Sequence, residues 1–201
     1  MFRYARSLLA AASTAVLVAA GIAHADGVPT MRGHDHTGIT VPDIKQAADF
    51  FVNVLGCKEA MSFGPFEDPK GDFMHNLLNV NPRAVIHQIT MLRCGYGSDI
   101  ELFQYSSPDQ KDMTAKNSDI GGFHIAFYVD DIKAAKEYLD GKGVKTFFGP
   151  FPVNEGPAAG QSIVYFLAPW GLQMELITYP HGEAYEKTSP VKLWSPKNPG
   201  E

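Results

Sequence analysis

One pattern occurs twice in this chain. His36-Thr37-Gly38-Ile39-Thr40-Val41-Pro42-Asp43-Ile44-Lys45 returns as His124-Ile125-Ala126-Phe127-Tyr128-Val129-Asp130-Asp131-Ile132-Lys133, 88 positions later (124 − 36). Val, Asp, Ile and Lys keep their places, as do Ala47 and Ala135. The copies also close alike. Gly97-Ser98-Asp99-Ile100-Glu101-Leu102 stands against Gly171-Leu172-Gln173-Met174-Glu175-Leu176, 74 positions apart (175 − 101). A duplication of this size constrains architecture before any propensity is weighed, because each copy is one supersecondary unit. It constrains chemistry as well. Each copy opens on a histidine and closes on a glutamate, and two His with two Glu form a ligand set for one divalent metal.

Each copy reads as β-α-β-β-β. In the first, Thr37–Val41 is a strand by its β-branched residues. Asp43 is the N-cap candidate of a helix in which Ile44, Ala47, Ala48, Phe51 and Leu55 recur at helical spacing, and Gly56 stops it. Strands are expected at Cys57–Phe63, Ala84–Leu92 and Asp99–Tyr105. A stretch from Gly64 to Arg83 interrupts them and carries a short helix at Phe73–Leu78. In the second copy the strand near Phe123 leads to a helix at Ile132–Leu139. Strands are then expected at Val144–Phe148, Ser162–Leu167 and Gln173–Tyr179, with Ala168-Pro169-Trp170-Gly171 as the last hairpin turn. From Pro180 the chain reads as an irregular tail, with Trp194 as its anchor.

Composition narrows the partners. The formal charge is −5 and no Lys/Arg cluster occurs, which argues against nucleic acid. Residues 1–25 read as a Sec-type signal peptide: Arg3 and Arg6, an Ala-rich apolar run from Leu8 to Ile22, then Ala23-His24-Ala25 as a small-x-small cleavage site. Cleavage would remove both arginines and leave −7, a soluble acidic protein off the membrane and secreted or periplasmic. The only cysteines, Cys57 and Cys94, would then meet an oxidising compartment. If their strands are antiparallel neighbours, the two face each other at one sheet edge. A one-residue slip would part them, so a disulfide and two buried thiols both stay open.

The two His-x-x-x-x-Val-x-Asp-Ile openings, Ile100-Glu101-Leu102 and Tyr165-Phe166-Leu167-Ala168-Pro169-Trp170-Gly171-Leu172-Gln173-Met174-Glu175-Leu176 together resemble the vicinal oxygen chelate superfamily. This is the group of glyoxalase I, methylmalonyl-CoA epimerase, fosfomycin-resistance enzymes and extradiol dioxygenases. The resemblance spans about residues 34–180 and is nearest to glyoxalase I-like members. It implies an α+β fold: two βαβββ modules, about 34–105 and 121–180, in a cupped mixed sheet around a metal site. The glyoxalase-like domain would run 26–180 and the tail 181–201. It also implies that His36, Glu101, His124 and Glu175 bind one divalent ion (Zn, Ni, Co, Mn or Fe).

The residues agree with that reading on their own terms. Glu101 lies between Ile100 and Leu102, and Glu175 between Met174 and Leu176. A carboxylate in an apolar run is costly unless it is paired or metal-bound. The expected function is a metal-dependent lyase or isomerase acting on a small vicinal-oxygen substrate, a carbonyl compound or hydroxy acid. Glu101 or Glu175 would be the base that takes a proton α to the carbonyl.

Two alternatives stand beside it. An Fe(II) extradiol-type dioxygenase needs only a 2-His-1-carboxylate triad, which His36, His124 and Glu175 supply. Tyr165-x-x-Ala-Pro-x-Gly-x-x-x-Glu175 also fits the tail of the extradiol signature, but the His which that signature places before the Tyr is missing from Glu155–Gly160, and Glu101 would be idle. A sequestering protein needs no ligands. Export disfavours glutathione and CoA substrates, which are chiefly cytosolic. His34 reads as a loop residue, His87 as a polar-face or cup residue, and His75 as surface. The Gly64–Arg83 insertion with Phe147, Phe148 and Phe151 would line an apolar pocket or join the core. Monomer and homodimer both remain open.

Overall fold

A computed structural model describes residues 28–200, so the expected signal segment lies outside the described residues. Residues 28–33 belong to a unit distinct from the body of the chain, which begins at His34. Among the described residues no helix is long and apolar enough to cross a membrane.

The body holds two four-stranded mixed sheets, the expected α+β fold. In the first module β1 (His36–Thr40), α1 (Ile44–Asn53), β2 (Lys58–Phe63), α2 (Phe73–Leu78), β3 (Val85–Arg93) and β4 (Asp99–Ser106) give the strand order β1-β4-β3-β2. In the second, β5 (Ile125–Tyr128), α3 (Ile132–Gly141), β6 (Phe151–Pro152), β7 (Ser162–Leu167) and β8 (Gln173–Thr178) repeat it as β5-β8-β7-β6. The first and last strands of each module are therefore parallel neighbours: β1 beside β4, and β5 beside β8. This topology brings each opening histidine to its closing glutamate.

The repeated aspartates start the helices. Asp43 accepts from the Gln46 N–H at 2.9 Å, and Asp131 from the N–H groups of Lys133 and Ala134, both at 3.0 Å. Each carboxylate satisfies donors that a first helical turn leaves unpaired. Side chains alternate across a strand, so Ile39, Ile100, Leu102 and Leu92 face α1, while Val164, Phe166, Met174 and Leu176 occupy the matching face of module two. The two sets form one core, and Trp170 closes it against Phe50 and Phe51, with ring centroids 6.0 and 6.1 Å apart. Burial of this apolar surface is the main driving force for the fold.

The opposite faces carry Glu101 and Glu175. On module one that face is partly covered by the insertion: α2 packs Met74 against Ile86 and Ile89, with Phe103 and Tyr105 alongside. Three expectations need correction. Val144–Phe148 is not a strand. It makes one bridge, Thr146 to Phe166, and the short β6 pairs only after Gly149-Pro150, because proline has no N–H for the ladder. Phe147, Phe148 and Phe151 are exposed rather than core, at 40%, 88% and 51%. The tail is not wholly irregular: Ala184–Lys187 forms a 3-10 turn capped reciprocally by Glu183 and Glu186. Trp194 does act as an anchor. Its ring lies where a side chain at Gly97 would be, and next to it Ser195 bonds the Tyr179 hydroxyl at 2.8 Å.

Cys57 and Cys94 are joined by a disulfide. They flank the antiparallel β2–β3 pair, whose register sets Lys58 opposite Arg93.

Candidate active site

The duplicated histidines and glutamates meet in two pairs. His36 Nε2 lies 3.2 Å from Glu101 Oε2, and His124 Nε2 lies 2.9 Å from Glu175 Oε2. Register explains the contact. Gly38 is directly opposite Glu101 in the β1–β4 pair and Ala126 opposite Glu175 in the β5–β8 pair. Each histidine sits two residues earlier on the same face, so its ring reaches diagonally to the carboxylate. The glutamates are the covered members, with side chains 17% and 7% exposed, against 40% and 35% for His36 and His124.

Each histidine is held from its other ring nitrogen. Asp35 Oδ1 lies 2.7 Å from His36 Nδ1, and Asn117 Nδ2 lies 3.3 Å from His124 Nδ1. A polar partner on the far nitrogen is how ligating histidines are oriented. The Asp35 hydrogen bond holds the His36 ring above the ordinary imidazole value, and the negative charge of Glu101 adds to it. On module two, Tyr165 lies directly opposite Glu175 across β7–β8 and meets the His124 ring edge-on at 5.3 Å. Burial pushes the Tyr165 phenol upward, and the neighbouring Glu175 carboxylate pushes it the same way.

Two ligands on one tetrahedral ion, each about 2.1 Å from it, stand about 3.4 Å from each other. Both pairs are close ion-pair contacts slightly shorter than that spacing, so each sets two possible ligands side by side. The four donors do not converge: among the described residues no group of three or more His, Cys, Asp or Glu side chains is gathered closely enough to hold an ion. The structure thus brings the four expected residues into two like half-sites.

The other histidines stand apart. His34 bonds Thr37, and His87, at the register shift between Ile86 and Gln88, bonds Ser106. His75 lines a cleft of about 660 Å³ with Thr40, Asn79 and Tyr105. Another cleft, of about 860 Å³, runs past Ala126, Tyr128 and Ile177, and the tail residues Leu193 and Trp194 wall it. Neither cleft is lined by a His–Glu pair. They adjoin the pairs along the strands, through Tyr105 four residues after Glu101 and through Ala126 opposite Glu175.

Residues 35–165 match the family model of the Glyoxalase/Bleomycin resistance protein/Dioxygenase superfamily. The chain belongs to that superfamily. It is 41% identical over 172 residues to a 2-epi-5-epi-valiolone epimerase from Actinomyces sp., covering 85% of this chain and 92% of that one. It is 28% identical over 167 residues to glyoxalase I of Saccharomyces cerevisiae, which covers 77% of this chain and 48% of the yeast protein. In fold it resembles a glyoxalase family protein from Bacillus cereus, with a TM-score of 0.56 at 18% identity over 76% of this chain and 98% of the other. The superfamily placement and the epimerase relative support an isomerase-type enzyme.

Sequence reasoning assigned no role to Asp35, Asn117 or Tyr165. Tyr165 had a usable signal: at the 74-residue offset it corresponds to Met91, so it breaks the repeat beside an otherwise repeated pair. Asp35 and Asn117 had none, because loop residues acquire their partners only in three dimensions.

Proposed function

We propose that this chain is an exported epimerase that inverts a carbon next to a ketone in a small hydroxylated substrate. One divalent ion would be held by His36, Glu101, His124 and Glu175. The observation that carries the reading is the duplicated contact: each module sets a covered carboxylate against an oriented imidazole. The name of the 41% identical relative supports both the reaction type and the substrate class. One ion needs both half-sites, so binding would draw them together, within one chain or across a homodimer.

When bound, the metal supplies a Lewis acid for the negative charge that develops on the substrate oxygen. The chain supplies the rest. Glu101 and Glu175 are the carboxylates placed to take the α-proton. Asp35 and Asn117 fix the two rings. The adjoining clefts carry hydroxyls and carboxamides from Thr40, Asn79, Tyr105, Tyr128 and Gln161, groups suited to a neutral polyol. A ring-cleaving triad of His36, His124 and Glu175 would leave Glu101 idle, although Glu101 makes the same contact as Glu175. The symmetry of the pairs therefore favours proton transfer.

The test uses protein lacking residues 1–25, supplied with Zn²⁺, Co²⁺ or Mn²⁺, and 2-epi-5-epi-valiolone in D₂O. The expected result is an epimer carrying one deuterium at the inverted carbon, read by NMR. No deuterium uptake with any of the ions overturns the reading.

A further inference from the structure

The C-terminal tail turns the far end of module two into a walled cleft. Tyr128 closes β5 and Tyr179 follows β8, and their rings meet at 4.9 Å and 62°. The tail folds back over them. The hydroxyls of Ser195 and Tyr179 bond at 2.8 Å, and the Leu193 N–H donates to the Tyr185 hydroxyl at 3.0 Å. The Trp194 ring rests against Gly97, between β3 and β4. The rings of Tyr128, Tyr179, Tyr185 and Trp194 thus come together around the cleft of about 860 Å³. Among the described residues no lysine lies over any of these four rings: the lysine–ring contacts are Lys142 on Tyr138 and Lys145 on Phe147.

The charge on the walls has one predominant sign. Asp130, Glu183 and Glu186 line the cleft against Lys197, a balance of 1 − 3 = −2. The Lys197 ammonium is turned to the Pro180 carbonyl at 2.5 Å. Glu183 and Glu186 cap the 3-10 turn reciprocally, each side chain accepting the other's backbone N–H. The cap holds two like charges side by side, and among the described residues neither carboxylate makes an ion pair. Burial, and after it the charge of Glu186, hold the Glu183 carboxyl above the usual carboxylate range.

We infer that this cleft binds an organic ammonium ion, with the four rings around the cation and Glu183 and Glu186 as its counter-charge. A cation is attracted to the negative face of an aromatic ring, most strongly where water is excluded. An anionic ligand would meet the excess of carboxylates. A neutral ligand would leave both the ring quadrupoles and the unpaired charges unused. The chain as a whole carries −5, which draws cations toward it from a distance. The site goes beyond the epimerase reading and does not rest on it, because no His–Glu pair lines this cleft.

The experiment titrates the purified protein with choline at low salt and reads calorimetry together with tryptophan fluorescence. The control is 3,3-dimethylbutan-1-ol, which has the shape of choline with carbon in place of the charged nitrogen. Choline is expected to bind saturably, one per chain, and to change the Trp194 emission, and the alcohol to bind at least about tenfold more weakly. Two variants locate the site. Glu183→Gln combined with Glu186→Gln removes the charge and keeps the cap, since glutamine serves in a capping box. Trp194→Leu removes one ring. Each is expected to weaken choline at least about tenfold, with the melting temperature showing that the fold is kept. No saturable choline binding, equal affinity for choline and the alcohol, or choline affinity unchanged in either variant that keeps its melting temperature overturns the assignment.

Discussion

Reduction of the Cys57–Cys94 bond should destabilise this protein by an amount that follows from its place in the chain. The bond closes a segment with a sequence separation of 37. It ties the strand after α1 to the end of β3, within module one. In the loop-entropy model, a cross-link over that length removes about 4 kcal/mol of freedom from the unfolded chain. For a domain of this size each kcal/mol moves the melting temperature by about 2–4 °C, so reduction should lower it by about 8–16 °C. Cys57 is 3% exposed and packs in the main core with Cys94 against it. A reduced thiol behaves there as a small apolar side chain, so the loss reads the cross-link rather than a new buried polar group. Calorimetry on oxidised and fully reduced protein, with thiol counting on each, is the assay. Melting temperatures within about 2 °C of each other, with the thiols shown to be free, would refute the reasoning.

Three further outcomes follow from the same structure. Phe166→Ala removes a fully buried ring from the joint core of the two modules and should cost about 3–5 kcal/mol in urea unfolding. Asp131→Ala removes the acceptor of two helix N–H groups and should cost about 1 kcal/mol by the same measurement. Mass spectrometry of the exported protein should find a chain beginning at Asp26, and an intact Met1 in that pool would refute cleavage.

Much of this was legible because the chain was duplicated. The repeat offset matched His36 with His124 and Glu101 with Glu175, and the βαβββ order then set each histidine's strand parallel beside the strand of its own module's glutamate. The helix starts at Asp43 and Asp131 were readable from local chemistry alone. The strand expected at Val144–Phe148 failed because its apolar residues met a partner for only one bridge before Gly149-Pro150, and pairing is not local information. The aromatics Phe147, Phe148 and Phe151 read as pocket or core, yet all three are exposed, Phe151 on a two-residue edge strand. The disulfide hinged on register, which a periodicity of two leaves ambiguous. The orienting contacts of Asp35 and Asn117 lay beyond sequence reasoning for the same cause, since each depends on which loop ends beside which.

The central claim is that two half-sites serve one ion. Metal stoichiometry tests it most directly. The protein without residues 1–25, dialysed against Co²⁺ or Zn²⁺ and analysed for metal and protein together, should carry one ion per chain, and His124→Ala should lose most of it. Two ions per chain, one for each His–Glu pair, or unchanged metal content in His124→Ala, would contradict it.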